Sequence, residues 1–279
     1  MSASGGDIAG RGAGKIRVAT FNVNSLRARI GSVLTWLKDA KPDIALLQEI
    51  KCLDTDVPKL EIEDLGYNFE AVGQKSYNGV AILSRRPFMV EERRLPGGEG
   101  DDHARYIEAV IDVPEGRRFK ALRVASIYLP NGNPVETDKF AYKLAWLDRL
   151  NRHATRLLEY EEPLVLGGDY NVAPTDDDVY DPVAWANDAL CRPESRAGYY
   201  RLLNLGFVDA FRALHSEPHR YTFWDYQAGR WQRDEGLRID HLLLSPQAAD
   251  SLDECEIDKT PRTGDKPSDH TPIWCSLDL

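Results

Sequence analysis

The chain is poor in sulfur and has no clustered cysteine. Its 279 residues include two methionines and four cysteines, Cys52, Cys191, Cys255 and Cys275. None form a C-x-x-C pair, so neither a disulfide frame nor a thiolate zinc site is expected; the pattern reads as reduced thiols in a cytosolic protein. No apolar run approaches the ~18 residues of a membrane span, so no membrane partner is expected. The opening stretch, MSASGGDIAGRGAGK, lacks the apolar core of a secretory signal. Residues 1–14 read as a disordered tail or an appended remnant, which leaves 15–279 as a single domain, expected to be cytoplasmic and monomeric. Basic charge is also short: 35 Lys and Arg against 45 Asp and Glu give a net charge of -10. That excludes gripping a polyanion with the whole surface. A local basic face from Arg85, Arg86, Arg93 and Arg94, or from Arg149, Arg152 and Arg156, stays open beside the plainer reading of solvated arginines. No G-x-S-x-G, H-E-x-x-H or P-loop occurs, so acyl transfer, zinc proteolysis and nucleoside-triphosphate hydrolysis have no support.

What the chain does have is apolar residues, 42% of the total, arranged in short runs. KIRVATFNV reads as a strand ending near Asn22, and PDIALLQEI as a second ending at Glu49. NGVAILS, RYIEAVID and RFKALRVASIYLP read as further strands, with PGGEGDD as a loop among them. Leu26, Ile30, Val33, Leu34 and Leu37 recur every three or four residues and mark an amphipathic helix. The longest helix is expected over 137–159, with Phe140, Leu144, Leu147, Leu150, Leu157 and Leu158 on one face and Thr137 or Asp138 as cap. Residues 183–214 read as helical, broken near Pro193 and Gly206. LRIDHLLLS and HTPIWCSLDL close the chain as strands. Runs of strands separated by a helix do not keep a βαβ rhythm, so mixed sheets with helices outside, an α/β sandwich, are favoured over a doubly wound parallel sheet.

A polar residue recurs where an apolar strand stops: Asn22, Glu49, Tyr128, Asp169 with Asn171, Asp240, and Asp269 with His270. Singly, each fits a turn or a surface end. Asp240 is harder to place that way, because it interrupts LRIDHLLLS inside a buried strand, where a carboxylate needs a partner. His270 is the candidate; strand alternation points His241 to the opposite face, and His103, His153, His215 and His219 default to the surface. In LVLGGDYNVAP the glycines read as allowing a sharp turn, and period-two alternation places Asp169 and Asn171 on one side. Glu49, Asp169 and Asp269 are hard oxygen donors suited to Mg2+ or Mn2+. Asn171 and Tyr128 can hold a phosphate oxygen, and an Asp–His pair is a fixed donor for developing negative charge. Together they describe metal-assisted phosphoester hydrolysis.

The ordered set ATFNVNSLRAR, PDIALLQEIK, NGVAILSR, SIYLPNGN, LGGDYNVAPTDDDV, RYTFWDY, GLRIDHLLLS and PSDHTPIW resembles the exonuclease III family of apurinic/apyrimidinic endonucleases, in the endonuclease/exonuclease/phosphatase superfamily. The resemblance runs from about Lys15 to the C-terminus. It implies a four-layer α/β sandwich, two mixed β-sheets packed face to face with helices outside, like deoxyribonuclease I. It implies dependence on Mg2+ or Mn2+ and cleavage of duplex DNA 5′ to an abasic site, with action on damaged 3′ ends. By the same resemblance Glu49 ligates the metal with Asp269 nearby, and Asn22, Asp169 and Asn171 belong to that site. Asp169 orients and deprotonates water, Asn171 and His270 hold the scissile phosphate, Asp240 orients His270, and Tyr128 contacts the phosphate or the nucleophile. An abasic nucleotide flips out at low cost, and Phe223, Trp224, Leu237 and Ile239 either line its pocket or are ordinary core. Asn131 and Arg230 join them as substrate contacts; Arg230, Trp231 and Arg233 mark a loop for insertion into DNA, and Lys139 and Lys143 a backbone contact. Two other readings stand beside this one: a phosphoesterase of the superfamily acting on a small-molecule or lipid phosphate, and a non-catalytic binding protein on the same fold.

Overall fold

The computed structural model describes residues 15–115 and 117–279; the tail reading of 1–14 lies outside them. In chain order the strands are β1 (Ile16–Asn22), β2 (Ile44–Gln48), β3 (Asn68–Val72), β4 (Val80–Ser84), β5 (Phe88–Glu92), β6 (Tyr106–Asp112), β7 (Ala121–Tyr128), β8 (Leu164–Asp169), β9 (Val208–Asp209), β10 (Asp240–Leu244), β11 (Leu252–Ile257) and β12 (Ile273–Leu277). The helices are α1 (Ile30–Ala40), α2 (Lys59–Glu63), α3 (Asp138–Leu158), α4 (Pro182–Trp185), α5 (Pro193–Asn204), α6 (Ala210–Leu214) and α7 (Pro246–Ala249). They build two six-stranded mixed sheets, ordered β11-β12-β1-β2-β4-β3 and β5-β6-β7-β8-β10-β9.

The sheets pack face to face through Val18, Leu46, Ile82, Ile107, Val124, Val165 and Leu242. The outer face of the first sheet buries Phe21 and Leu47 under Val33, Trp36 and Leu37 of α1. That of the second buries Ile127 and Leu166 under Trp146, Leu147 and Leu150 of α3. This is the four-layer α/β sandwich. Central strands covered on both faces must be apolar throughout, which is why β2 and β4 are buried at every residue. α3 starts where Thr137 accepts a hydrogen bond from the Lys139 amide, the N-cap arrangement that satisfies a free backbone donor.

Strand direction places the site. β1 and β2 run parallel in one sheet, β7 and β8 parallel in the other. β10 and β12 run antiparallel to β8 and β1, so they begin beside the ends of those strands. The polar residues that stop the strands therefore collect at one end of the sandwich. Beneath them a polar seam joins the sheets: Thr20 Oγ1 donates to Gln48 Oε1 (3.1 Å), Gln48 Nε2 to Ser126 Oγ (2.9 Å), and Ser126 Oγ to the Leu47 carbonyl (2.9 Å).

The structure revises several expectations. Gly167 and Gly168 form no turn; both lie inside β8. A Cβ on Gly167 would sit 2.6 Å from Leu46 Cδ1 and 2.8 Å from Leu242 Cδ2, and one on Gly168 would sit 1.9 Å from the Ile127 carbonyl oxygen. Close approach of layers and strands demands these glycines. The stretch 183–214 holds α4, α5, the short β9 and α6, broken near Pro193 and Gly206 as expected, with a non-helical run between α4 and α5 and a two-residue strand before α6. Strands β3, β5 and β11 escape the sequence pattern because each lies at a sheet edge and mixes polar or acidic residues among its apolar ones. His153 is not at the surface: it is buried with Nε2 2.7 Å from Glu108 Oε2, which also accepts from the Tyr106 hydroxyl at 2.6 Å, while Arg123 pairs with Oε1 at 2.7 Å. All four cysteines are buried and unpaired. No helix among the described residues is long and apolar enough to cross a membrane.

A buried ionic network braces the loop that follows β8. Arg238, fully buried, donates to Asp178 Oδ1 (2.7 Å) and Asp209 Oδ2 (2.8 Å) and lies 3.0 Å from His241 Nδ1. Asp178 also accepts from Thr175 and Arg212, and Asp209 from Tyr199. Burial opposes ionisation of Asp178, yet Arg238 and Arg212 hold its carboxyl far below the usual range. Replacing Arg238 with methionine would take the shared guanidinium from two buried carboxylates, and removing one partner of a buried pair costs about 3–5 kcal/mol. Arg238→Met is expected to lower the unfolding free energy by that amount in denaturant titration at neutral pH; a loss under ~1 kcal/mol would show the network to be dispensable.

Candidate active site

Asn22 stands where the two sheets meet. It closes β1, is fully buried, and its single amide group donates to Glu49 Oε1 (2.8 Å) on one sheet and to Asp169 Oδ2 (2.9 Å) on the other. Its Oδ1 accepts from the Asn24 backbone amide (3.0 Å), which fixes the orientation of the group. Glu49 follows β2 at φ 51°, an uncommon conformation for a side-chain-bearing residue and one that recurs at functional sites. Glu49, Asp169 and His270 each offer a ligand atom, all within 4.8 Å of one another.

Asp240 and His270 behave as their positions in the sequence suggested. Asp240 pairs with Asp169 in the β8–β10 register, and its Oδ2 lies 2.8 Å from His270 Nδ1. The other ring nitrogen, Nε2, lies 3.8 Å from Asp169 Oδ2. Against the downward push of burial, Asp240 and Asp169 hold the imidazole charged well above its ordinary range. Burial, opposed by His270 and reinforced by Asp240 and Glu49, raises the Asp169 carboxyl. Glu49 moves the other way: burial pushes it up, but Lys51 and Asn22 bring it below its usual value. His241 faces the other side of β10, as alternation requires, with Nε2 2.8 Å from the Val172 carbonyl.

Asn171 reaches the site by a turn and not by alternation. β8 ends at Asp169, Tyr170 is buried in the core, and Asn171 sits at φ 48° with its backbone amide donating to Asp169 Oδ1 (2.9 Å). This is an Asx-type turn. Asn131 Nδ2 donates to Asn171 Oδ1 (2.9 Å). Tyr128, at the end of β7, stacks under Arg105 at 4.7 Å; burial, then Glu49 and Asp169, push its hydroxyl pKa well up, which keeps it a proton donor. Asp269 does not join the three-residue cluster. It accepts from Asn24 Nδ2 (2.9 Å), Asn24 Oδ1 accepts from Lys51 Nζ (2.6 Å), and Lys51 pairs with Glu49 Oε2 (2.7 Å), so a chain of contacts ties it to the centre.

The surrounding residues separate by burial. Trp224 is fully buried, with Nε1 donating to Asp234 Oδ1 (3.0 Å) and its ring edge-on to Trp231. Leu237 and Ile239 are core residues packed with Phe140, Val179 and Leu190. Phe223 alone of the four keeps partial exposure, its ring 5.0 Å from His270. Arg230 and Arg233 both pair with Glu235, and Arg230 stacks on Tyr180. Lys143 is buried and faces no solvent, so it makes no contact with a DNA backbone. Arg93, Arg94, Arg149 and Arg152 are each paired with a carboxylate, so these four do not form a free basic face. Asn24, Arg105 and Ser268, whose Oγ donates to the Asn22 carbonyl (2.7 Å), join the site; the polar runs NVNS and PSDH are the sequence signal for Asn24 and Ser268, and Arg105 has none.

Residues 19–270 match the model of the Endonuclease/Exonuclease/phosphatase family. The chain belongs to that family. Within it the similarity is to exonuclease III and the AP endonucleases. Exodeoxyribonuclease III of Haemophilus influenzae is 32% identical over 270 residues, covering 94% of this chain and all of that protein. Among solved structures, an AP endonuclease from Archaeoglobus fulgidus superposes with a TM-score of 0.88 at 36% identity, over 95% of this chain and all of that one. The 3′ phosphatase NExo from Neisseria, bound to a product DNA hairpin, gives the same TM-score, identity and coverage.

In this family member the Asp240–His270 pair makes a pH prediction. Removing the Asp240 charge destabilises the imidazolium, so His270 loses its proton at lower pH. Asp240→Asn is expected to move the alkaline limb of the activity profile at least ~1 unit toward neutrality. An unmoved limb would detach His270 from that limb.

Proposed function

We propose that this protein is a metal-dependent DNA-repair nuclease that hydrolyses the phosphodiester 5′ to abasic sites in duplex DNA. It also removes damaged 3′ ends as a 3′–5′ exonuclease and 3′ phosphatase or phosphodiesterase. The observation that carries the reading is the convergence of Glu49 and Asp169 on Asn22, opposite the Asp240–His270 pair. The donor set fits a hard divalent cation: Glu49 and Asp169 offer carboxylate oxygens within 4.8 Å of each other and of His270, and both accept from the Asn22 carboxamide, without the thiolates that zinc or copper would favour. Glu49 is the residue to hold Mg2+ or Mn2+, with Asp269 nearby and Asn22 and Asn171 supporting the site. The bound cation supplies neutralisation of charge on the phosphate.

The chain's own groups do the remaining work. Asp169, fixed by Asn22 and the Asn171 amide, orients water and takes its proton. His270 donates to the phosphate oxygen where charge builds, and Asp240 keeps its ring aligned. Asn171 and Tyr128 donate to the phosphate. Phe223, beside His270, meets the sugar of the flipped abasic nucleotide, with Leu237, Ile239 and Trp224 as the packed wall behind it and Asn131 and Arg230 at the rim. The expected working form is a cytoplasmic monomer.

The test is a duplex oligonucleotide with one tetrahydrofuran abasic mimic. The expected result is a nick 5′ to the mimic with Mg2+, none with EDTA, and a steep loss of activity with added salt. Asp169→Asn and His270→Ala should each lower the rate by about 10²-fold or more while leaving the fold intact. Absence of a metal-dependent nick, or near-wild-type rates in either variant, would overturn the assignment.

A further inference from the structure

Lys143 lies in the second turn of α3 and is fully buried. Its Nζ donates to two backbone carbonyls, those of Asn131 (3.0 Å) and Asn171 (2.5 Å). These belong to the two loops that follow β7 and β8. Withdrawing an amine from water to meet carbonyls alone is costly, and an apolar side chain of similar size would fill the space at less expense. Stability is therefore a poor reason for a lysine here.

The two loops are shaped around this side chain. Gly132 takes φ 89°, and a Cβ there would lie 2.6 Å from Lys143 Cδ. Asn133 anchors the same loop, donating from Nδ2 to Asp188 and accepting from the Ala189 amide. Between the loops, Asn171 Oδ1 accepts from Asn131 Nδ2, and Asn171 Nδ2 donates one hydrogen to the Leu129 carbonyl (3.0 Å). A carboxamide has two donor hydrogens, so one remains for a phosphate oxygen. Lys143 holds the backbone carbonyls of both members of the Asn131–Asn171 pair and so sets where that remaining hydrogen is presented.

We propose that Lys143 is a positioning residue that locks the loops after β7 and β8 together and aims the Asn171 amide at the scissile phosphate. It touches no substrate. The aim at phosphate rests on the nuclease reading above; the locking of the loops does not. Lys143→Met removes the donors and keeps the bulk. On the abasic-mimic duplex it is expected to lower kcat by about 10²-fold, the scale set by ångström-level misplacement, with KM changed less than ~3-fold and Tm unchanged or raised. Lys143→Met combined with Asn171→Ala is expected to fall within ~3-fold of Asn171→Ala alone, because the lysine acts through that amide. An unchanged kcat, multiplying effects in the double variant, or a rate loss that follows a fallen Tm would each overturn the proposal. If Lys143→Met does not fold, Lys143→Gln, which keeps an N–H donor, is held to the same criteria with a smaller loss in kcat. Hydrogen exchange gives a readout independent of activity: in the variant, residues 129–134 and 170–174 should exchange faster while β1, β2 and β8 are unchanged. Should the wild type fail to nick the duplex, the nuclease reading falls, and the exchange result still decides whether Lys143 locks the loops; equal exchange in both loops would show that it does not.

Discussion

The site depends on one amide group. Asn22 spends its two hydrogens on carboxylates from different sheets, Glu49 at 2.8 Å and Asp169 at 2.9 Å. A half-buried and a buried carboxylate this close repel each other, and a shared donor is a compact way to hold them together. The arrangement works only if the sheets stay close at that end. The bare Cα of Gly167 lets Leu46 and Leu242 close over β8, and the Thr20–Gln48–Ser126 seam fixes one sheet against the other just below. Packing and chemistry are thus one problem here: a methyl group at residue 167 would meet the side chains of Leu46 and Leu242 between the layers that carry the carboxylates.

Around that centre each of these side chains is held by a partner of its own. Asp240 aligns His270, Asn24 and Lys51 tie Asp269 to Glu49, and Asn131 fixes the carboxamide of Asn171. Further out, Arg238 braces the loop after β8 through Asp178 and Asp209, and His241 grips Val172 from the opposite side of β10. Buried polar groups are costly unless satisfied, and satisfied networks rigidify their surroundings. The acidic net charge is consistent with this design. Many of the arginines that could have formed a basic face are instead paired with the carboxylates beside them.

Much of this was legible in the sequence. The recurrence of Asn22, Glu49, Tyr128, Asp169, Asp240 and His270 at strand ends marks residues that the structure brings together, because a polar residue that stops a buried strand needs a reason to be there. Asp240 gave the sharpest signal: an acid inside an apolar strand requires a partner, and the histidine proposed for it is the one found. Edge strands β3, β5 and β11 were not legible, since strands with a free edge and an exposed face need not be apolar. His153 was misplaced because its buried partner, Glu108, lies 45 residues away. Lys143 was misplaced because a lysine beside a loop ordinarily means solvent, and nothing local announces two carbonyl acceptors.

The sequence by itself determined the sandwich of mixed sheets, the family, and the set of polar residues at the strand ends, because burial periodicity and strand-end chemistry are local properties of the chain. Only the tertiary structure decided how those residues are aimed. Gly167 and Gly168 read as a turn and are points of close approach between layers and strands. Asn171 reaches the site through an Asx turn and not through alternation. Leu237 and Ile239 are core packed against Phe223, and Trp224 is fully buried. Each of these depends on what the opposite sheet or a distant loop brings against the residue, and contacts across long sequence separations leave no periodic trace in the chain.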